Sequence, residues 1–187
     1  MNNFLETLEE NPIIAAIKDN RGLKKALKSD CGLIFILYGD LITIVDIVKK
    51  IKAAGKIAFI HVDLLEGTSQ KEVVFEYLKH FTEADGIIST KAHMIQHAKK
   101  WGFFTTHRLF LIDSMSYNNI DKQISISKPD CIEIMPGGMP KVIGWVIEKV
   151  SIPVIAGGLV CEKEDVVNAL KAGATAVSTT NTAIWEM

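Results

Sequence analysis

The sequence predicts an α/β fold, a compact TIM-like (β/α)8 barrel in which some helices are short or missing. Short β-branched runs alternate with amphipathic helical stretches along the whole chain of 187 residues. Eight such runs recur at roughly the length of one βα unit. Each run is almost continuously apolar, which is typical of parallel strands buried on both faces. Eight units in a row favour a closed barrel over an open doubly wound sheet.

The strands and helices can be placed individually. The predicted strands are residues 13–17, 33–37, 56–62, 86–89, 103–108, 131–135, 154–156 and 176–178. Residues 42–54 and 162–172 have helical periodicity, and each stretch stops at or just before a glycine, Gly55 and Gly173. The segment 109–127 is the least regular, with only a weak amphipathic run at 120–126, so we expect some reduced helices. A Rossmann-like sheet is the alternative, but no G-x-G-x-x-G follows the first strand.

The composition predicts one domain over residues 1–187, since no linker-like segment interrupts the chain. The formal net charge of −1 argues against a strongly basic nucleic-acid binder but leaves room for a local basic patch. No apolar run approaches the length that spans a bilayer, so we expect no membrane association. No metal or cofactor is predicted, because His93 and His97 are spaced for a metal but lack an evident third ligand.

The cysteine pattern indicates a cytoplasmic protein. Cys31, Cys131 and Cys161 are odd in number and widely separated. This pattern suits reduced thiols better than a disulfide framework or a zinc site.

The ends of the last two predicted strands predict a phosphate site. Gly157 and Gly158 follow the seventh strand, and Ser178 and Thr179 end the eighth. Paired glycines expose backbone N–H groups to an anion, and a Ser/Thr turn that opens a short helix adds further donors. In (β/α)8 barrels a phosphate is commonly bound after these two strands. We therefore expect a small phosphorylated ligand.

Polar residues at other strand ends should line the same pocket. They are Lys18, His61, Asp63, Arg108 and Glu133. Strand alternation lets Glu133 point into the barrel, where an unpaired carboxylate would be costly. It should therefore have a cationic partner, Lys18 or Arg108, and we expect a cluster of Asp63 and Glu133 with these two cations. Structural roles remain open: His61 and Asp63 as a hydrogen-bonded pair, and Glu133 with Arg108 as an ion pair that holds the barrel.

Several segments together resemble the bacterial glycerol uptake operon antiterminator family. They follow the same order over nearly the whole chain, at residues 61–67, 84–90, 110–114, 129–143, 152–159 and 169–180. The blocks HVDLxEG, PGxMPKVI and IAGGL are specific in combination, whereas IAGGL alone occurs in many phosphate-binding barrels.

The resemblance implies a TIM-like barrel that regulates glycerol utilisation rather than a metabolic enzyme. Members of the family are understood to sense glycerol 3-phosphate and to act on leader mRNA, preventing premature termination. Gly157, Gly158, Ser178 and Thr179 would then hold the phosphate, and the five strand-end residues would line the glycerol end. The RNA partner rests on resemblance alone, because no basic stripe or stacking aromatic is evident, and a homo-oligomer could complete an RNA surface.

Two other functions stay open. The first is a phosphate-binding barrel enzyme, an isomerase, lyase or transferase acting on a small phosphorylated substrate. Asp63, Glu133, His61 or Lys18 would serve as its acid or base. The second is a former enzyme that keeps the pocket and binds the ester without turnover.

Overall fold

Eight parallel strands close into a barrel in sequence order in the computed structural model. The structure describes residues 2–187, with the backbone alone for residues 2, 3 and 5, so Met1 of the predicted domain lies outside the described residues. The strands are β1 (Ile13–Ile17), β2 (Leu33–Ile36), β3 (Ile57–His61), β4 (Gly86–Ser89), β5 (Phe104–Phe110), β6 (Cys131–Met135), β7 (Val154–Gly157) and β8 (Ala176–Thr179). Every predicted strand is found, and the TIM-like fold is confirmed.

The helices lie outside the barrel, except for one that precedes the first strand. Within residues 2–187 they are α1 (Asn2–Glu10), α2 (Asn20–Ala26), α3 (Ile44–Ala53), α4 (Val73–Phe81), α5 (Ala92–Lys100), α6 (Ser114–Asn118), α7 (Ile120–Ser127), α8 (Pro140–Lys149) and α9 (Lys163–Lys171). Two 3-10 turns, Val62–Leu64 and Ile184–Glu186, complete the set. The last βα unit thus ends in a single turn, and α6 has only 5 residues, as the expectation of reduced helices requires.

Aromatic rings close the lower end of the barrel, which is the end where the strands begin. Helix α1, which the sequence analysis did not predict, places Phe4 with its ring centroid 5.4 Å from that of Phe59 and 4.3 Å from that of Phe104. Leu8 of the same helix is buried in this interior cluster. Because the lower half of the interior is packed with apolar side chains, the polar interior residues lie at the upper end, where the strands finish.

The outer layer packs the apolar faces of the helices onto the strands. Helix α3, for example, buries Ile44, Ile47, Val48 and Ile51. The final 3-10 turn buries Trp185, whose Nε1 donates a hydrogen bond to the carbonyl of Thr179 at 2.9 Å. This bond fixes the chain directly after β8. None of the helices within residues 2–187 is long and apolar enough to cross a membrane.

Candidate functional site at the mouth of the barrel

A buried ion pair lies inside the upper end of the barrel. Arg108 on β5 and Glu133 on β6 are register partners, and Nε of Arg108 donates to Oε2 of Glu133 at 2.5 Å. The other carboxylate oxygen accepts a hydrogen bond from the hydroxyl of Ser178 on β8. Glu133 is fully buried and Arg108 is 6% exposed. The expectation that Glu133 points inward and needs a cationic partner is confirmed, and that partner is Arg108.

Two buried nitrogen atoms near this pair have no protein partner. Nη2 of Arg108 and Nδ1 of His61 form no hydrogen bond within the described part of the chain. Leaving a buried polar group unsatisfied costs about 1–3 kcal/mol, and more when the group is charged. Both atoms are therefore suited to bind a polar ligand at the upper end of the barrel.

Arg108 also lines a cavity of about 90 Å³ at the mouth, together with residues from the ends of β7 and β8. Gly158, Leu159 and Thr180 belong to this lining, and their backbone N–H groups donate no hydrogen bond to another residue in 2–187. Free N–H groups around a cavity that a guanidinium borders form a good anion site. The predicted phosphate position after the last two strands therefore coincides with a cavity of suitable chemistry.

Glycines allow the strand ends to approach so closely. The N–H of Gly137, after β6, donates to the carbonyls of Gly157 at 2.6 Å and Gly158 at 2.9 Å. A Cβ on Gly137 would lie 2.7 Å from the backbone nitrogen of Gly157, and a Cβ on Gly157 would collide with Glu133. Gly158 has φ +73° and Leu159 has φ +55°. Two successive residues in the left-handed region turn the chain sharply beside the cavity that both residues line.

The side chains of Ser178 and Thr179 are already engaged within the protein. Ser178 donates its hydroxyl proton to Glu133, and Thr179 donates its own to the carbonyl of Val160 at 2.8 Å. Oγ1 of Thr179 also accepts from the N–H of Asn181. The donors predicted at Ser178 and Thr179 are therefore occupied in the described chain, and the unpaired donors that line the cavity in this turn are those of Thr180.

Asp63 takes no part in the ion pair. Its carboxylate accepts hydrogen bonds from the hydroxyl of Ser89 at 2.8 Å, the N–H of Thr90 at 2.7 Å and the hydroxyl of Thr90 at 2.8 Å. Burial works to raise the pKa of Asp63, but these hydrogen bonds outweigh it and hold the pKa below its usual value. The predicted cluster of two carboxylates and two cations is therefore wrong beyond the pair of Glu133 and Arg108, because Asp63 does not join it.

His61 points into the barrel, as strand alternation predicts, and is 3% exposed. Burial and then the charge of Arg108 lower the pKa of His61 to about 4, so the imidazole is neutral at pH 7. No hydrogen bond joins His61 to Asp63 among the described residues. The hydrogen-bonded pair that we considered is thus not formed, which leaves His61 available to a ligand.

Lys18 follows the last residue of β1 and is exposed at the rim. It makes no ion pair with any carboxylate in residues 2–187, so of the two predicted partners of Glu133 it is Arg108, not Lys18, that forms the pair. Its position at a strand end still places it beside the mouth.

His107, which was not among the predicted site residues, is fully buried on the outer face of β5. Its ring nitrogens lie 2.9 Å from the hydroxyl of Ser127 and 3.3 Å from the carbonyl of Thr90. Burial lowers the pKa of His107. Alternation along β5 could have identified it, because an inward Arg108 requires an outward His107. No group of three or more potential metal ligands comes together within residues 2–187.

The closed barrel with donors at the ends of β7 and β8 places this chain among the TIM-barrel proteins. A solved structure of orotidine 5'-phosphate decarboxylase from Pyrococcus horikoshii OT3 shares this fold with a TM-score of 0.69 at 17% identity, over 94% of this chain and 91% of that one. Residues 13–185 match the family of glycerol-3-phosphate responsive antiterminators. The chain belongs to that family, and the resemblance seen in its sequence is confirmed.

Three relatives illustrate how close the match is. The glycerol uptake operon antiterminator regulatory protein from Listeria monocytogenes is 35% identical with a TM-score of 0.89, over 94% of this chain and 95% of that one. An antiterminator-related protein from Thermotoga maritima is 31% identical with a TM-score of 0.83, over 94% and 98%. The uncharacterized protein YgcP of Escherichia coli (strain K12) is 62% identical over 98% of this chain and 96% of its own length.

Proposed function

We propose that this protein is a cytoplasmic regulator that binds glycerol 3-phosphate at the mouth of the barrel and acts on leader mRNA as an antiterminator. The observation that carries the ligand step is the buried Nη2 of Arg108, which has no protein partner and belongs to a residue lining a cavity with free backbone N–H groups. A phosphate monoester offers several acceptor oxygens, which suit these donors.

In this proposal the phosphate contacts the N–H groups of Gly158, Leu159 and Thr180 and the guanidinium of Arg108. The glycerol part extends towards His61, whose neutral ring can exchange a hydrogen bond with a hydroxyl group. Lys18 at the rim adds a positive charge near the entrance. Because Glu133 already neutralises much of the charge on Arg108, the backbone donors supply a large share of the phosphate binding.

The contacts of the two carboxylates argue against acid or base catalysis by either of them. A general acid or base must be able to exchange a proton with the substrate. Glu133 is held by Arg108 and Ser178, and Asp63 by three hydrogen bonds from Ser89 and Thr90. Neither carboxylate is free to take up a proton from a ligand without breaking the contacts that hold it.

Self-association is a further part of the proposal. Large apolar side chains are exposed at and after the end of β5, on and before α8 and after β7: Phe110, Ile112, Met115, Met139, Trp145 and Leu159. Ile112, Met139 and Trp145 line one groove of about 420 Å³. If each side chain is given about 200 Å², the area typical of an aromatic one, their exposed fractions correspond to roughly 760 Å², close to the ~800 Å² that each partner contributes to a stable dimer. Light scattering after size exclusion would then give twice the mass of 20.7 kDa.

Calorimetry tests the ligand step. We expect glycerol 3-phosphate to bind with one site per chain, and glycerol alone not to bind. Arg108→Gln/Glu133→Gln keeps a neutral hydrogen-bonding pair, and it should weaken binding at least tenfold. Lys149→Gln/Asp121→Asn removes an ion pair from the outer surface and should leave binding unchanged. Equal binding by the wild type and the Arg108→Gln/Glu133→Gln variant would place the ligand elsewhere.

A gel-shift assay with the leader transcript of the glycerol-utilisation operon tests the RNA step. We expect glycerol 3-phosphate to strengthen the shift at low salt, because the ligand favours the state that binds RNA. Phosphorus NMR of the ligand during long incubation should show no turnover. Formation of a new phosphorylated product would instead support the enzyme function.

A further inference from the structure

The strongest concentration of unpaired positive charge lies on and around helix α2. Residues 18–28 contain one carboxylate, Asp19, and five cations: Lys18, Arg21, Lys24, Lys25 and Lys28. All five cations are exposed. This segment is strongly basic in a chain whose formal net charge is −1. We call these five side chains the α2 surface.

The cations of the α2 surface are not neutralised by the protein. None of them forms an ion pair within residues 2–187, whereas Lys52, Lys99 and Lys149 each pair with a carboxylate. Asp19 is occupied as the cap of α2, where it accepts a hydrogen bond from the N–H of Gly22 at 2.6 Å. The charge of this surface is therefore available to an external polyanion.

The α2 surface lies beside the proposed ligand cavity. Strand β1, which leads into α2, pairs with β8. Nζ of Lys25 donates a hydrogen bond at 3.0 Å to the hydroxyl of Thr182, two residues after Thr180 at the cavity. The basic surface therefore starts at the rim with Lys18 and is connected to the segment that follows β8.

An aromatic side chain borders this surface. The hydroxyl of Tyr38, two residues after β2, donates to Oδ1 of Asn20 at 3.0 Å and so fixes the ring against the start of α2. Tyr38 is only partly buried. Proteins that bind single-stranded RNA commonly place an aromatic ring for a base next to cations for the phosphates.

We propose that the α2 surface binds the phosphate backbone of RNA, with Tyr38 as a stacking position. The inference rests on the RNA-binding step of the proposed function and adds the surface that carries it. Binding to a basic surface releases counterions from the RNA, and the slope of log K against log salt reports the number of phosphate contacts. A second basic helix, α5, fits less well, because Lys99 is bound to Asp130 and to the carbonyl of Lys128.

The test compares two triple variants of the full chain that remove equal charge. Arg21→Gln/Lys24→Gln/Lys28→Gln changes the α2 surface and spares Lys25 and Lys18. The control variant replaces three exposed lysines elsewhere with glutamine: Lys71, Lys100 and Lys122. Fluorescence anisotropy measures binding of the labelled leader transcript over a range of salt concentrations, with saturating glycerol 3-phosphate.

We expect the α2 variant to bind about tenfold more weakly or worse, with the salt slope reduced by about 2, since each single-stranded phosphate contact contributes about 0.7. The control variant should match the wild type. Calorimetry should give both variants the wild-type affinity for glycerol 3-phosphate, which shows that each is folded. A Tyr38→Leu variant should lose affinity without a change in slope.

Each contrary result has a separate meaning. If the wild type binds the transcript and the α2 variant keeps the same affinity and salt slope, the assignment of RNA binding to the α2 surface is wrong, and the proposed function stands. Equal losses in both triple variants would mean that bulk charge, not this surface, governs binding. If the wild type binds no transcript at low salt with or without glycerol 3-phosphate, the RNA step fails and this inference fails with it.

Discussion

Removing the positive charge inside the barrel gives the sharpest test of the site's energetics. Arg108→Met leaves Glu133 fully buried with the Ser178 hydroxyl as its remaining hydrogen-bond donor in the described chain. Breaking a buried ion pair in this way costs about 3–5 kcal/mol. A protein of this size loses about 2–4 °C in Tm per kcal/mol, so we expect Tm to fall by roughly 10 °C.

Replacing both partners should restore most of that stability. In Arg108→Met/Glu133→Met no buried charge remains, and apolar replacements of a buried pair are often close to neutral. We expect this double variant to lie within about 2 kcal/mol of the wild type. Lys149→Met, which breaks the partly exposed pair with Asp121 at 3.2 Å, should cost about 1 kcal/mol or less.

Urea unfolding followed by circular dichroism measures all three variants. We expect Arg108→Met to be the least stable of the three. A loss below about 1 kcal/mol in Arg108→Met would mean that Glu133 reaches water or another partner once the arginine is gone. A double variant that is as unstable as Arg108→Met would mean that packing, and not charge, dominates this position.

Three further predictions address acid stability and the backbone. The pKa of His61 is lowered from 6.5 to about 4, so the neutral ring contributes fully to the free energy of unfolding above pH 6.5, and roughly 3 kcal/mol of that free energy is lost as the pH falls towards 4. Urea unfolding at pH 7 and pH 4.5 should show that His61→Gln removes this part of the acid sensitivity, whereas the exposed His93→Gln should not. Gly158→Ala and Gly55→Ala both place a Cβ at φ +73° and should each cost about 1 kcal/mol, yet calorimetry should show weaker binding of glycerol 3-phosphate for Gly158→Ala alone. Gly144→Ala, inside α8 with no atom near the added Cβ, should stabilise the fold by about 0.5–1 kcal/mol in the same urea assay, and a loss of stability would show that the helix is strained there.

The sequence predicted those features that depend on local pattern. Periodicity located every strand, and alternation within β6 placed Glu133 inside the barrel, where the cost of burying a lone carboxylate led to its cationic partner. The alternation rule failed for residues that lie just beyond the end of a strand. Lys18 follows β1, and Asp63 lies in the 3-10 turn after β3, so neither side chain keeps the alternation of its strand.

Features that depend on distant contacts could not be read in this way. Helix α1 packs against the barrel through contacts of Phe4 with rings on β3 and β5, and these strands lie far from α1 in the sequence. The hydroxyls of Ser178 and Thr179 looked like ligand donors because their own acceptors, Glu133 and the carbonyl of Val160, come from other strands and loops. The α2 surface was overlooked because the near-zero net charge of the whole chain averages this basic helix with acidic segments such as α1.

Among the described residues, the aromatic rings at the lower end of the barrel leave the mouth as the route for a small molecule. Phe4, Phe59 and Phe104 fill the opposite end, so an effector held near Arg108 must depart through the same opening by which it arrived. A large partner docked across that opening would trap the effector for as long as the partner remains. The dissociation rate of a labelled effector would then report the lifetime of the larger assembly.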